Sequence, residues 1–118
     1  MNIHSYLKLN TSSKEGKTKT HSVYFYLSYG FKVINPVNGT AKYVPMRMAT
    51  GYTFRKDQWD TAASKPNETY PFTMSFQKRI AELDMIAAVE LDDYYTEHKE
   101  FPHPTVLRKL IKQKYKLY

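Results

Sequence analysis

The chain has no cysteine, which excludes disulfides and thiolate-held metals. No window reaches the roughly 18 consecutive apolar residues that a membrane-spanning helix needs. The opening Met-Asn-Ile-His-Ser-Tyr-Leu-Lys lacks the basic segment and apolar run of a secretory signal, so a cytoplasmic location is expected. There is no glycine-rich phosphate loop and no nucleophile elbow. The four histidines, His4, His21, His98 and His103, do not stand at metal-ligand spacing, so neither a metal nor a cofactor is expected. Asp92 and Asp93 are adjacent in a helical stretch and point about 100° apart, as a solvated face does. Asp57 and Asp60 flank Trp59 at a turn, where aspartate commonly bonds its own backbone. No set of residues reads as catalytic, and the expectation is that this chain is not an enzyme.

What the sequence does have is basic charge, unevenly distributed. The 118 residues fit one domain with one modest core, and 42% hydrophobic residues against 25% charged favour folding over disorder. The net charge of +7 points to a polyanion, nucleic acid before a membrane surface. Residues 1–60 hold nine Lys/Arg and three Asp/Glu. Ser75 to Glu100 holds three Lys/Arg against seven Asp/Glu, and Pro104 to Tyr118 holds five Lys/Arg and no acid. A basic sheet region, an acidic helix and a basic tail therefore succeed one another. Such segregation argues for a polyanion site more strongly than net charge does.

Periodicity assigns the elements. Ile3, Ser5, Leu7 and Leu9 alternate with His4, Tyr6 and Lys8 as a first strand. Asn10 to Thr20 is polar and lysine-bearing, a loop. His21 to Phe31 is dense in aromatic and β-branched residues. Its inner set is Val23, Phe25, Leu27 and Tyr29, and its outer set is Tyr24, Tyr26 and Ser28. Asn35-Pro36-Val37-Asn38-Gly39 is a turn. Ala41 to Thr50 reads as a third strand, at an edge or bulged at Pro45, which has no amide proton. Gly51 breaks that strand and Tyr52 to Phe54 resumes it. Asp60 to Thr73 reads as a crossing loop. Phe76, Ile80, Leu83, Ala87, Leu91 and Tyr94 recur at helical spacing, and Phe101-Pro102-His103-Pro104 ends that helix. A second helix starts at Pro104 or Thr105, capped by His103 or Thr105, with Val106, Leu107, Leu110, Ile111 and Tyr115 as its apolar side. The expected fold class is α+β: a three- to four-stranded antiparallel sheet over about 2–56, covered on one face by a long helix over about 75–100, with a second short helix over about 104–118.

The eleven tyrosines are in excess. Tyr24, Tyr26 and Tyr43 beside Arg47 would form a flat aromatic and basic surface, of the kind that lets a sheet enter the DNA major groove. Tyrosines equally suit half-buried strands, where they pair across the sheet. The lysines of the Asn10 to Thr20 loop, with Arg55 and Lys56, would supply phosphate contacts. Trp59 is expected to anchor its loop on the core. The basic second helix would track DNA or lead to a further domain; a membrane partner is not expected.

The segment Arg47-Met48-Ala49-Thr50-Gly51-Tyr52-Thr53-Phe54-Arg55-Lys56-Asp57-Gln58-Trp59-Asp60 joins a basic strand, a Thr-Gly turn and a Trp-Asp pair, and a long helix follows. With Tyr24-Phe25-Tyr26-Leu27, Tyr43-Val44-Pro45-Met46-Arg47 and Pro104-Thr105-Val106-Leu107-Arg108-Lys109-Leu110, it resembles the amino-terminal arm-type DNA-binding domain of tyrosine recombinases (integrases), in the form found in phages and mobile elements of Bacteroidetes. The resemblance implies a three-stranded sheet packed on a helix and docked in the major groove of arm-type sites during DNA integration. By that likeness Tyr24, Tyr26, Tyr43 and Arg47 face bases, and Lys8, Lys17, Lys19, Arg55 and Lys56 face phosphates. It also implies a bacterial or phage-encoded protein. The partners implied are double-stranded DNA, the remaining domains of an integrase and other recombinase subunits. The Arg, His and Tyr catalytic set of such enzymes is not found in this sequence. Two alternatives stand beside it: a protein-interaction module using the tyrosine face or an edge strand, and an RNA- or single-strand-binding sheet.

Overall fold

The computed structural model describes residues 3–10, 20–68 and 70–115. The fold is α+β. Strands β1 (His4–Leu9), β2 (Thr20–Ser28) and β5 (Met46–Arg55) form an antiparallel sheet in the order β1-β2-β5. Strands β3 (Lys32–Ile34) and β4 (Ala41–Tyr43) form a separate ribbon, as do β6 (Trp59–Asp60) and β7 (Lys65–Pro66). Helix α1 (Thr73–His98) and helix α2 (Pro104–Lys114) follow.

The alternation in β2 sets the two faces. Val23, Phe25, Leu27 and, just beyond the strand, Tyr29 are buried, while Tyr24, Tyr26 and Ser28 point the other way. In β5, Met46, Met48, Thr50 and Phe54 are buried on the same side. One core cluster joins Phe25, Leu27, Met46 and Met48 to Leu83, Ala87 and Leu91 of α1 and to Leu107 and Ile111 of α2. A second joins Val23, Phe54, Trp59 and Phe76. Burying one such side chain fully contributes about 1.5–3 kcal/mol, so these clusters dominate the stability. Trp59 is only 7% exposed, tilted against Phe54 at 5.4 Å and edge-on to Phe76 at 6.2 Å, which makes it the anchor its position predicts.

The expected third strand over Ala41 to Thr50 divides at Val44-Pro45. Its first part pairs with β3 and its second with β2. Pro45 donates no hydrogen bond and Gly30, opposite in the hairpin, takes φ +76°, so the ladder breaks there. The sheet is accordingly three-stranded. A second irregularity lies between Ser22 and Tyr24, where β5 sets three residues, Thr50 to Tyr52, against Val23 alone of β2. The extra pair keeps the in-out alternation of β5. Gly51 supplies φ +88° within it, and the Thr50 hydroxyl donates to the Val23 carbonyl at 2.9 Å. The segment read as a crossing loop contains the β6–β7 ribbon, too short for periodicity to reveal.

Helix α1 closes with Lys99 in the left-handed region, its N–H donating to the Tyr95 carbonyl at 2.8 Å. His103 caps α2: its Nδ1 accepts from the Thr105 N–H at 3.1 Å. Helix α2 runs beside the free edge of β5. Arg108 donates to the Arg47 carbonyl at 3.3 Å, and the Tyr115 hydroxyl donates to the Thr50 carbonyl at 3.3 Å. Both bonds cap sheet-edge carbonyls that would otherwise invite another strand. The last three residues assigned to the second helix, 116–118, lie outside the described residues. No helix among the described residues is long and apolar enough to cross a membrane.

Candidate nucleic-acid interface

The sheet face turned away from α1 carries an ordered set of rings and cations. Tyr6 pairs directly with Tyr26, Lys8 with Tyr24, and Arg47 with Tyr26. The Tyr6 and Tyr26 rings stack at 4.9 Å with 4° between their planes, and His4 stacks on Tyr6 at 5.5 Å. The Arg47 guanidinium lies 4.0 Å from the centroid of Tyr24 and 5.9 Å from that of Tyr26. The Lys8 ammonium lies 5.5 Å from Tyr26 and 5.7 Å from Tyr6. Cations over ring faces hold each other's geometry, each contact contributing about 0.5–1 kcal/mol at an exposed site. The rings therefore form one contiguous array, half-buried, with the exposed cations Lys8 and Arg47 available to a ligand.

Of the nine residues expected to bind, Tyr24, Tyr26, Arg47 and Lys8 are brought together on this face. Lys56 is exposed at the end of β5 and lines, with Tyr6, Lys8 and Trp59, a cleft of about 460 Å³ beside β1. Arg55 is half-buried, and its Nε lies 3.1 Å from Asp57 Oδ1, so a phosphate there would share Arg55 with a carboxylate. Tyr43 is not part of the array. It lies in the β3–β4 ribbon, 62% exposed, with the Lys32 ammonium 4.9 Å over its ring. The break at Pro45 is what removes it from the sheet. Lys17 and Lys19 lie outside the described residues.

Two residues join the face that sequence reading left out. His4 and Tyr6 have the same strand parity as Lys8, and that parity is the available signal. Arg108, expected only as part of the basic second helix, reaches the Arg47 carbonyl from 61 positions away, a contact that no local pattern announces.

The electrostatics are one-sided. From Gly16 to Lys56 the sequence contains no acidic residue, while the acidic stretch Ser75 to Glu100 lies in α1 and the turn after it, on the opposite side of the sheet. The core between them holds polar groups of its own. Tyr29 donates from its buried hydroxyl to the Pro102 carbonyl at 2.8 Å, and burial pushes its phenol well above the ordinary tyrosine range. Burial likewise raises Tyr115, partly offset by the Arg79 guanidinium 4.9 Å over its ring. His103, besides capping α2, meets Phe31 edge-on at 5.4 Å, and His98 lies tilted against Tyr94 at 4.2 Å, so these two histidines hold local structure. Among the described residues no group of three or more His, Asp or Glu side chains is placed to share a metal ion. Comparison with known protein families, curated proteins and solved structures finds no match for this chain.

Proposed function

We propose that this chain is a non-catalytic DNA-binding domain that docks its open sheet face on duplex DNA, acting at arm-type sites as part of a tyrosine recombinase or integrase. The observation that carries the binding part of this reading is the Arg47–Tyr24–Tyr26–Tyr6–Lys8 array on the sheet face opposite the acidic α1. The recombinase part rests on the resemblance of the Thr50-Gly51 turn and the Trp59-Asp60 pair to the arm-type domain.

The array suits a duplex better than single strands. Single-strand binders leave ring faces open for bases to stack on. Here one face of Tyr24 is taken by Arg47 and one face of Tyr26 by Tyr6. The tyrosine hydroxyls and the planar Arg47 guanidinium are then the polar groups that would meet a ligand. Arg47 has the geometry to bond a guanine edge in the major groove, and the tyrosine hydroxyls can donate to or accept from base edges. Lys8 and Lys56 border one cleft and would hold phosphates on the β1 side. The acidic α1 behind the sheet repels the duplex, so encounter is steered to the sheet face.

Competition tests this. The chain bound to a labelled duplex is challenged with unlabelled duplex DNA, single-stranded DNA and RNA at two salt concentrations. Duplex DNA is expected to compete best, with affinity falling steeply as salt rises. Better competition by RNA, or salt-insensitive self-association without DNA binding, would refute the reading.

A further inference from the structure

We propose that the β3–β4 ribbon is a second DNA-binding element, a wedge whose apolar tip enters between base steps and bends the duplex held by the sheet. This rests on the duplex reading of the sheet face.

The ribbon is an arm that the described residues leave uncovered. Its strands pair as Lys32 with Tyr43, Val33 with Lys42 and Ile34 with Ala41, and all six residues are exposed. It is nevertheless built as a firm structure. The Val44 N–H donates to the Phe31 carbonyl at 2.9 Å, which continues the β2–β5 hairpin into the ribbon across the break. Phe31 fixes the root against His103 and Tyr29. The tip is closed by Gly39 N–H to the Asn35 carbonyl and Asn35 N–H to the Thr40 carbonyl, each 2.8 Å. Asn35 Oδ1 accepts from the Val37 N–H at 2.8 Å, and Asn38 Oδ1 accepts from the Thr40 N–H and hydroxyl at 3.0 and 2.6 Å. The asparagine oxygens are thus engaged within the turn, and the apolar residues of the exposed tip are Pro36 and Val37, with Ile34 below. Val37 is 91% exposed and Ile34 67%.

Ile34 and Val37, largely exposed on an ordered ribbon, are apolar surface that a partner would favourably cover. The charges name the partner. Between Phe31 and Val44 the charged residues are Lys32 and Lys42, one on each ribbon face, with no acid. Apolar wedges flanked by cations are the composition that unstacks base steps from the minor groove. The reach is also right. Val37 is eleven positions beyond Tyr26, which at roughly 3.3 Å each spans at most about 36 Å, or about ten base pairs at roughly 3.4 Å. A duplex seated on the sheet face and bent by the ribbon would be contacted over about one helical turn.

The test is the bend angle. An end-labelled duplex, drawn from those the full chain retains at low salt, reports bending by energy transfer between its ends. The wild-type chain is expected to bend it by about 20–90°. Ile34→Ser with Val37→Ser should abolish most of the bend, and Lys32→Gln with Lys42→Gln should lower the slope of log affinity against log salt by about 1.8. All four side chains are exposed, so circular dichroism and Tm should match the wild type. Duplex binding with bend and slope unchanged in both double variants overturns the ribbon assignment and leaves the sheet reading standing. No duplex binding by the wild-type chain overturns both. A straight duplex, with the wedge variant altering only self-association in sedimentation, overturns the wedge and gives the ribbon to a second copy of the chain.

Discussion

The guanidinium of Arg47 lies over the ring of Tyr24 at 4.0 Å, although the strand partner of Arg47 is Tyr26. The side chain leans diagonally across the face and ties two tyrosines of β2 to one cation of β5. Its backbone is held as well, because the Arg47 carbonyl accepts from Arg108. An arginine so held gives up less rotamer freedom when a ligand arrives, which favours specific contact.

Arg47→Ala is therefore expected to cost about 1–3 kcal/mol of duplex affinity and to relax base preference. Arg47→Lys keeps the charge but not the planar fork, and should restore affinity without preference. Equal losses on all duplexes for both variants, measured by anisotropy, would remove Arg47 from base reading.

Lys8→Ala, Lys56→Ala and Lys17→Ala should weaken every duplex alike. Each is expected to reduce the salt slope by about 0.9 and leave the preferred sequence unchanged. A changed preference would mark that lysine as a base contact instead.

Tyr29 links the sheet to the turn between the helices through its bond to the Pro102 carbonyl. Tyr29→Phe leaves that carbonyl without the phenol donor and should cost about 1–3 kcal/mol at neutral pH. The pH dependence has a definite sign. Burial raises the Tyr29 and Tyr115 phenols above the value of about 10 that they have in the unfolded chain. Their contribution to stability is full below pH of about 10 and is lost as pH rises beyond it, because only the unfolded chain then ionises freely. Urea unfolding between neutral pH and about pH 11 should show this decline, and it should be shallower in Tyr29→Phe. A flat profile would contradict the burial of these phenols.

Trp59→Ala should destabilise the fold by about 3–5 kcal/mol, since Trp59 is buried against both Phe54 and Phe76. Trp59→Phe should cost less. Urea unfolding followed by circular dichroism measures both, and a loss for Trp59→Ala below about 1 kcal/mol would show that Trp59 is not an anchor.

Much of the fold is legible in the sequence because the signals are local. The alternation from Val23 to Tyr29 marks both faces of β2, and the stripe from Phe76 through Leu83, Ala87 and Leu91 marks the buried side of α1. The turn at Asn35 to Gly39 follows from its residue types. The misassigned features are those that depend on pairing at a distance. Pro45 marks an irregularity within Ala41 to Thr50, but not that Tyr43 pairs with Lys32 while Arg47 pairs with Tyr26; that division depends on the opposing strand and its Gly30. The bond from Arg108 to Arg47 and the pairing of Trp59 with Pro66 likewise depend on how distant segments meet. Tyr6 was within reach of parity alone, but its value to the face comes from stacking on Tyr26, which is a cross-strand fact.

The measurement that bears most directly on duplex recognition by the sheet face is selection from a pool of random duplex DNA at two salt concentrations, run in parallel for the wild-type chain and Arg47→Ala. The account predicts an enriched motif for the wild type that persists at the higher salt, and a blurred motif for the variant. Weak retention without a motif, vanishing at the higher salt and identical for both proteins, would contradict it.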